Sequence, residues 1–77
     1  MEMEKQVMPE WFNGVVYGEG DRVSNIFTGE SVELTAEELS MYDLIMGAQM
    51  VQRYDVMQKG LDWFRRENAE AYMVLLD

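Results

Sequence analysis

The sequence contains no cysteine and no histidine, and only one of its 77 residues is proline. Disulfide bonds are therefore excluded, and a structural zinc site would lack both of its favoured ligand types. Catalysis by serine–histidine or cysteine–histidine pairs is excluded for the same reason. Because a domain of this size buries little surface on folding, we expect self-association or a partner to add stability.

The sequence also lacks a run of about 18 apolar residues, and its first residues, MEMEKQVMPEW, do not have the basic and then apolar order of a signal peptide. We therefore expect a soluble, cytoplasmic protein without a membrane segment. Basic residues are few, and the formal net charge of -9 argues against direct binding of nucleic acid. Residues 1–38 hold nine of the 15 acidic residues but only two of the six basic ones, so the N-terminal half forms the acidic face.

Hydrophobic residues make up 48% of the chain, including two Trp, four Tyr, three Phe and eight Met, which is typical of a folded domain. Residues 1–10 have no clear periodicity and predict a flexible arm before a single compact domain over residues 11–77. Three β-branched or aromatic runs separated by glycine-containing turns follow, at residues 14–18, 22–27 and 31–34. They predict a small antiparallel β-meander over about residues 14–34.

Helical patterns fill the rest of the chain, so the predicted fold class is α+β with the meander packed on two or three helices. Thr35 and Glu38 match a capping box and predict a helix over residues 36–50. Further helices are predicted over residues 55–67 and 69–76. The pattern leaves open whether the first two are one helix, although a break near residues 51–55 is favoured. Gly47 is expected to let another backbone approach closely.

No catalytic, cofactor-binding or metal-binding residue is predicted. Two carboxylate pairs, Glu19 with Asp21 and Glu30 with Glu33, have the residue types for acid–base chemistry, but turns and strand faces are expected to leave them exposed. The acidic turns lack the spacing of an EF-hand loop, and the stretch TGES lacks the lysine of a phosphate-binding loop. We therefore expect a protein that is not an enzyme.

Two sets of residues are candidates for contact with other molecules. Acidic residues on the predicted turns and strands are candidates for contact with a basic protein partner: Glu19, Asp21, Glu30 and Glu33. Large aromatic and methionine side chains exceed what so small a core can hide, and they are candidates for self-association, with a homodimer favoured: Trp11, Tyr42, Met46, Met50 and Trp63.

Two stretches of the sequence, FTGESVELTAEELSMYDLIMGA and MQKGLDWFRRENAEAYMVLLD, carry a resemblance to a known group. They resemble small hypothetical proteins encoded by tailed bacteriophages, especially marine ones, over about residues 22–77. That group has no assigned activity, so the resemblance assigns no functional residue. It implies an accessory protein that works in the cytoplasm of an infected bacterium.

The leading hypothesis from the sequence is a non-enzymatic phage accessory protein that binds a protein partner. One alternative is a structural or assembly protein whose role is to form homo-oligomers. Another is an acidic mimic of nucleic acid that uses its carboxylates in place of phosphates to inhibit a host or defence protein.

Overall fold

The computed structural model describes residues 6–12 and 14–77 and has two strands followed by three helices. The elements are β1 (Asp21–Ser24), β2 (Ser31–Leu34), α1 (Ala36–Met50), α2 (Tyr54–Glu67) and α3 (Ala69–Leu75). The β-hairpin packs on the helices, which confirms the predicted α+β class. Residues 1–5 of the predicted arm lie outside the described residues.

The hairpin pairs β1 with β2 in antiparallel register, with Val23 opposite Val32. The strand predicted over residues 22–27 ends at Ser24 because Asn25 turns the chain: its side-chain oxygen accepts hydrogen bonds from the backbone N–H groups of Phe27 (2.8 Å) and Thr28 (3.3 Å). Gly29 completes the loop with a φ of 81°, which glycine adopts without strain. The predicted strand Ser31–Leu34 is confirmed.

The predicted three-stranded meander is wrong, because the described residues between 14 and 18 form no strand. This segment runs along α1 instead. The backbone N–H of Tyr17 donates to the Ser40 hydroxyl (2.9 Å), and the Tyr17 hydroxyl donates to the carboxylate of Asp43. The β-branched composition of the segment favoured a strand, but hydrogen bonds to helix side chains replace those of a sheet.

Residues 6–12 contact the helices, in contrast to the flexible arm predicted for residues 1–10. The Gln6 amide donates to the carboxylate of Glu38 (2.8 Å), and the Trp63 indole donates to the backbone carbonyl of Val7 (3.3 Å). Met8, Trp11 and Phe12 pack against the core. This segment is therefore part of the folded domain.

The predicted capping box at the start of α1 is confirmed. Thr35 accepts a hydrogen bond from the backbone N–H of Glu38 (3.1 Å), and the Glu38 carboxylate accepts one from the backbone N–H of Thr35 (3.0 Å). The Glu38 side chain is also buried, at 4% exposure, and accepts from the amide of Asn68 (3.1 Å). Asn68 in turn caps α3 through the N–H of Ala71 (3.1 Å). Glu38 therefore joins the N-terminal segment, α1 and the α2–α3 junction.

The break between α1 and α2 is confirmed at Val51–Arg53. The backbone N–H of Arg53 donates to the carbonyl of Ala48 (2.8 Å), and that of Gln52 donates to Gln49 (3.2 Å). This pair of bonds is the Schellman motif, in which the chain turns through a left-handed residue. Gln52 holds that position with a φ of 62°, where glycine is usual.

We expect Gln52→Gly to raise the free energy of unfolding by about 1 kcal/mol, because glycine adopts the left-handed conformation without the steric cost of a side chain. Urea denaturation of both proteins measures the change. Gln49→Gly is the matched control: it places the same residue inside α1, where it should lower stability by about 1 kcal/mol. A Gln52→Gly protein less stable than the parent would contradict the assignment of this turn.

The core lies where α1 and α2 cross and is closed by β2 and α3. Met41, Ile45 and Phe64 are its largest fully buried side chains. No other segment of the described chain makes the close approach predicted at Gly47, because a methyl group there would meet no atom of the described residues within 4 Å beyond its own stretch of helix backbone. On α2, Gly60 lies close against α1, since a methyl group there would lie 2.6 Å from Cγ1 of Ile45.

Candidate interaction surfaces

A groove of about 550 Å³ lies between the end of α1 and the start of α2. Its lining is mainly apolar, with a charged rim, and Gly47 leaves open space over α1. Such grooves with a few polar groups are the usual form of binding sites. We call it the corner groove, and its lining residues are Trp11, Asp43, Leu44, Gly47, Ala48, Val51, Arg53, Asp55, Val56 and Lys59.

Exposed apolar side chains extend from the corner groove around the α1–α2 turn. Val51, which lines the groove, is 68% exposed. Met50, which precedes it, and Tyr54, three residues after it, are 84% and 57% exposed. The left-handed turn at Gln52 ends α1 directly after Met50 and Val51 and thereby displays them in solvent. Exposed apolar residues grouped in this way along the chain are candidates for a binding surface.

Two of the charged side chains on the groove rim neutralise each other in an ion pair. Arg53 and Asp55 form an ion pair of 3.3 Å. The hydrogen bond from Arg53 holds the pKa of the Asp55 carboxyl below its ordinary value. Asp55 therefore stays ionised at neutral pH, and this part of the rim carries no net charge.

A second depression, of about 810 Å³, lies beside the first. We call it the acidic cleft, and it is lined by Tyr17, Gly18, Glu19, Gly20, Asp21, Leu39 and Asp43. Three of these residues are carboxylates and none is basic. Asp43 also lines the corner groove, so the two depressions meet on α1.

Tyr17 lines the acidic cleft and is hydrogen-bonded to Asp43, the residue shared by the two depressions. The hydrogen bond to Asp43, aided by the negative charge of that carboxylate, raises the pKa of the Tyr17 phenol above its ordinary 10.0. Stability from this bond is therefore fully present below pH 10.0 and is lost as the pH rises through the higher pKa of the folded protein.

We expect Asp43→Asn to lower the pKa of Tyr17 towards its ordinary value, because the substitution removes the negative charge beside the phenol. Absorbance at 295 nm against pH follows tyrosine ionisation, and the difference between the parent and Tyr17→Phe isolates the Tyr17 signal. Identical Tyr17 titrations in the parent and in Asp43→Asn would show that the two side chains do not interact.

The four acidic residues predicted to contact a partner are all exposed, but they do not share one site. Glu19 and Asp21 line the acidic cleft, whereas Glu30 lies in the hairpin loop and Glu33 lies on β2 opposite Arg22. In the structure, Asp43 lines the acidic cleft together with Glu19 and Asp21. A sequence signal for it existed, since Leu39, Asp43 and Gly47 recur every four residues and share one face of α1.

The five residues predicted for self-association differ widely in exposure. Trp63 is 3% exposed and belongs to the core of the monomer, so its ring is not on the surface. Trp11 is half-buried and lines the corner groove, and Tyr42 and Met46 are also half-buried. Of these five residues, only Met50 has a largely exposed side chain. Val51 and Tyr54 were not predicted, because their exposure depends on the turn at Gln52.

The hairpin loop presents the two most exposed large apolar side chains among the described residues. Ile26 is 86% and Phe27 is 91% exposed. The loop is ordered by the hydrogen bonds of Asn25, whose amide also donates to the carbonyl of Val74 on α3 (2.8 Å). The tip is therefore apolar, and it lines neither the corner groove nor the acidic cleft.

The described residues, 6–12 and 14–77, contain neither a cluster of potential metal ligands nor a helix able to cross a membrane. Within these ranges no three acidic side chains are grouped closely enough to hold a metal ion. No helix there has the length and apolar character needed to cross a membrane.

No protein-family model, curated protein or solved structure matches this chain. The resemblance of its motifs to small phage proteins therefore stays a prediction. The corner groove and the acidic cleft are the features from which a function can be inferred.

Proposed function

We propose that this chain is a non-enzymatic interaction protein that binds a protein partner through the corner groove. The observation that supports the proposal is the open apolar space over Gly47, lined in part by exposed Val51. Met50 and Tyr54, close to Val51 in the chain, are also exposed. A partner that covers this surface would remove apolar area from water, which is the main favourable term in protein association.

The shape of the groove supports the same proposal. Trp11 stands at one wall, and tryptophan is among the residues that contribute most to binding energy when a partner desolvates them. The charged rim around the apolar floor matches the usual anatomy of an interface, with a polar edge around a hydrophobic centre. In contrast, the carboxylates of the acidic cleft are exposed and lack a histidine or cysteine partner, so we propose no reaction.

Homo-oligomerisation is a second candidate because the same exposed residues, Met50 above all, are available to a second copy. Sedimentation of the purified chain separates the two proposals, since a monomer leaves the groove free for another protein. We further propose, from the resemblance of its motifs, that the protein is a phage accessory protein of the bacterial cytoplasm.

We expect Gly47→Leu to abolish partner binding while making the protein more stable. A leucine there has open space to enter and would fill the groove, and leucine favours a helix over glycine by roughly 0.5–1 kcal/mol. Affinity capture from bacterial lysate with the parent and the variant measures the first effect, and thermal unfolding measures the second. A rise of about 4 °C in the midpoint is expected for a domain of this size.

Glu70→Gln serves as the control, because Glu70 lies exposed on α3 and lines neither depression. This variant should capture the same proteins as the parent. Recovery of the same proteins by Gly47→Leu, or of none by the parent, would contradict binding through the corner groove.

A further inference from the structure

The corner groove and the acidic cleft form one continuous surface along α1. Leu39 lines the cleft, Gly47 lines the groove, and Asp43 between them lines both. Residues four apart in a helix lie above one another on the same face. At 1.5 Å per residue, Leu39 and Gly47 are about 12 Å apart along the helix axis, with Asp43 about 6 Å from each.

The two ends of this surface differ in chemistry. The end at the groove is apolar around Gly47. Its rim carries the neutral ion pair of Arg53 with Asp55 and the cation of Lys59. The end at the cleft carries the carboxylates of Glu19, Asp21 and Asp43 and no basic lining residue. A partner that covers both ends must therefore match an apolar site and an anionic site side by side.

We infer that this surface binds a protein segment that carries an apolar side chain and a lysine or arginine about 6–12 Å apart. The apolar side chain lies over Gly47 and the cation lies among the three carboxylates. In an amphipathic helix this spacing corresponds to residues four to eight positions apart on one face. The inference rests on the proposed function and adds the chemistry of the partner.

The net charges of the possible binding partners decide which of them this surface favours. A second copy of this chain also carries a net charge of -9, and nucleic acid is a polyanion, so both would be repelled by the cleft. A basic segment is attracted over a range of about 10 Å at moderate ionic strength. The aromatic face of Tyr17, which lines the cleft, also favours a cation.

Three synthetic amphipathic helical peptides of equal length test this inference against the full chain. The first has leucine and lysine four residues apart on one face, the second has glutamate in place of lysine, and the third has serine in place of leucine. Titration of the 15N-labelled protein, followed by its amide resonances in NMR spectra, gives both the affinity and the location of each peptide.

We expect the leucine–lysine peptide to bind at least about tenfold more tightly than either other peptide at low salt. A few exposed charge pairs and the burial of one apolar side chain are together large enough to produce this difference in affinity. Its binding should shift the amide resonances of Gly47 and of Gly18–Asp21 together. The double variant Glu19→Gln/Asp21→Asn should lose about fivefold in affinity. The control Glu67→Gln/Glu70→Gln makes the same charge change on α2 and α3 and should lose little.

Equal binding of the lysine and glutamate peptides, shifts confined to one end of the surface, or no binding by any peptide would overturn the inference. The two experiments distinguish failure of this inference from failure of the proposed function. If charge does not matter but Gly47→Leu still abolishes capture of a partner, the groove binds a partner of another chemistry. If Gly47→Leu has no effect on capture, the groove itself is not the site.

Discussion

Replacing Glu38 with alanine is expected to lower the free energy of unfolding by about 3 kcal/mol, which is a large part of the stability of a small domain. The Glu38 carboxylate is buried and accepts hydrogen bonds from the Thr35 backbone and from the amides of Gln6 and Asn68. Alanine leaves all three donors without their acceptor. Urea or thermal denaturation measures the loss.

Conservative variants locate the source of that loss. Glu38→Gln keeps the size and one acceptor oxygen, so it should cost about 1 kcal/mol. Thr35→Ala removes the capping hydroxyl, which also donates a hydrogen bond to the side-chain oxygen of Gln6 (2.6 Å), and should also cost about 1 kcal/mol. A Glu38→Ala loss no larger than that of Thr35→Ala would mean that Glu38 serves the helix cap alone and does not join the N-terminal segment and the α2–α3 junction.

Gly60→Val is expected to destabilise the protein by a similar amount, about 3 kcal/mol, because it overpacks the contact between α1 and α2. Even a methyl group at this position would lie 2.6 Å from Cγ1 and 3.3 Å from Cδ1 of Ile45, which is itself 2% exposed. Neither α1 nor α2 can move away from this contact without displacing core residues. Denaturation curves of the parent and the variant give the change.

Gly47→Val is the matched control, since it makes the same substitution in a helix where a side chain has open space. It should change stability by less than about 1 kcal/mol. The double variant Ile45→Ala/Gly60→Val should lose less stability than the two single variants lose together, by at least about 1 kcal/mol. The reason is that alanine at position 45 removes the atoms that clash with a valine at position 60. Additive losses would contradict direct contact between Gly60 and Ile45.

The helices were predictable because their signals are local. The capping box at Thr35 fixes the start of α1, and three- and four-residue apolar spacing identifies α2 over nearly its full length. The α1–α2 break was only favoured from the sequence, since a glutamine at position 52 gives no sign of a left-handed turn. Its conformation is set by hydrogen bonds to the preceding turn of α1.

The false strand at residues 14–18 shows the limit of local signals. Two valines and a tyrosine favour a strand, but pairing with β1 competes with contacts to α1. Ser40 and Asp43 supply hydrogen bonds to Tyr17, and neither partner is evident from the segment itself. The acidic cleft follows from this arrangement, because Tyr17 brings the following residues up to α1.

The candidate site was predictable only in part. Trp11, Met50, Glu19 and Asp21 were identified from residue type, and the structure places them at or beside the two depressions. Gly47 was predicted to let another backbone approach, whereas within the described residues its missing side chain leaves an open groove. Which exposed residues share a surface depends on tertiary packing, which a sequence pattern does not contain.

Site-specific photocrosslinking tests the binding claim most directly. A photoreactive amino acid at Val51, in the corner groove, is compared with the same residue at Glu70, on α3, in living bacteria. Binding through the groove predicts a discrete crosslinked adduct with another protein from position 51, none from position 70, and loss of the adduct when Gly47→Leu is added. No adduct from position 51, or the same adduct from both positions, would contradict it.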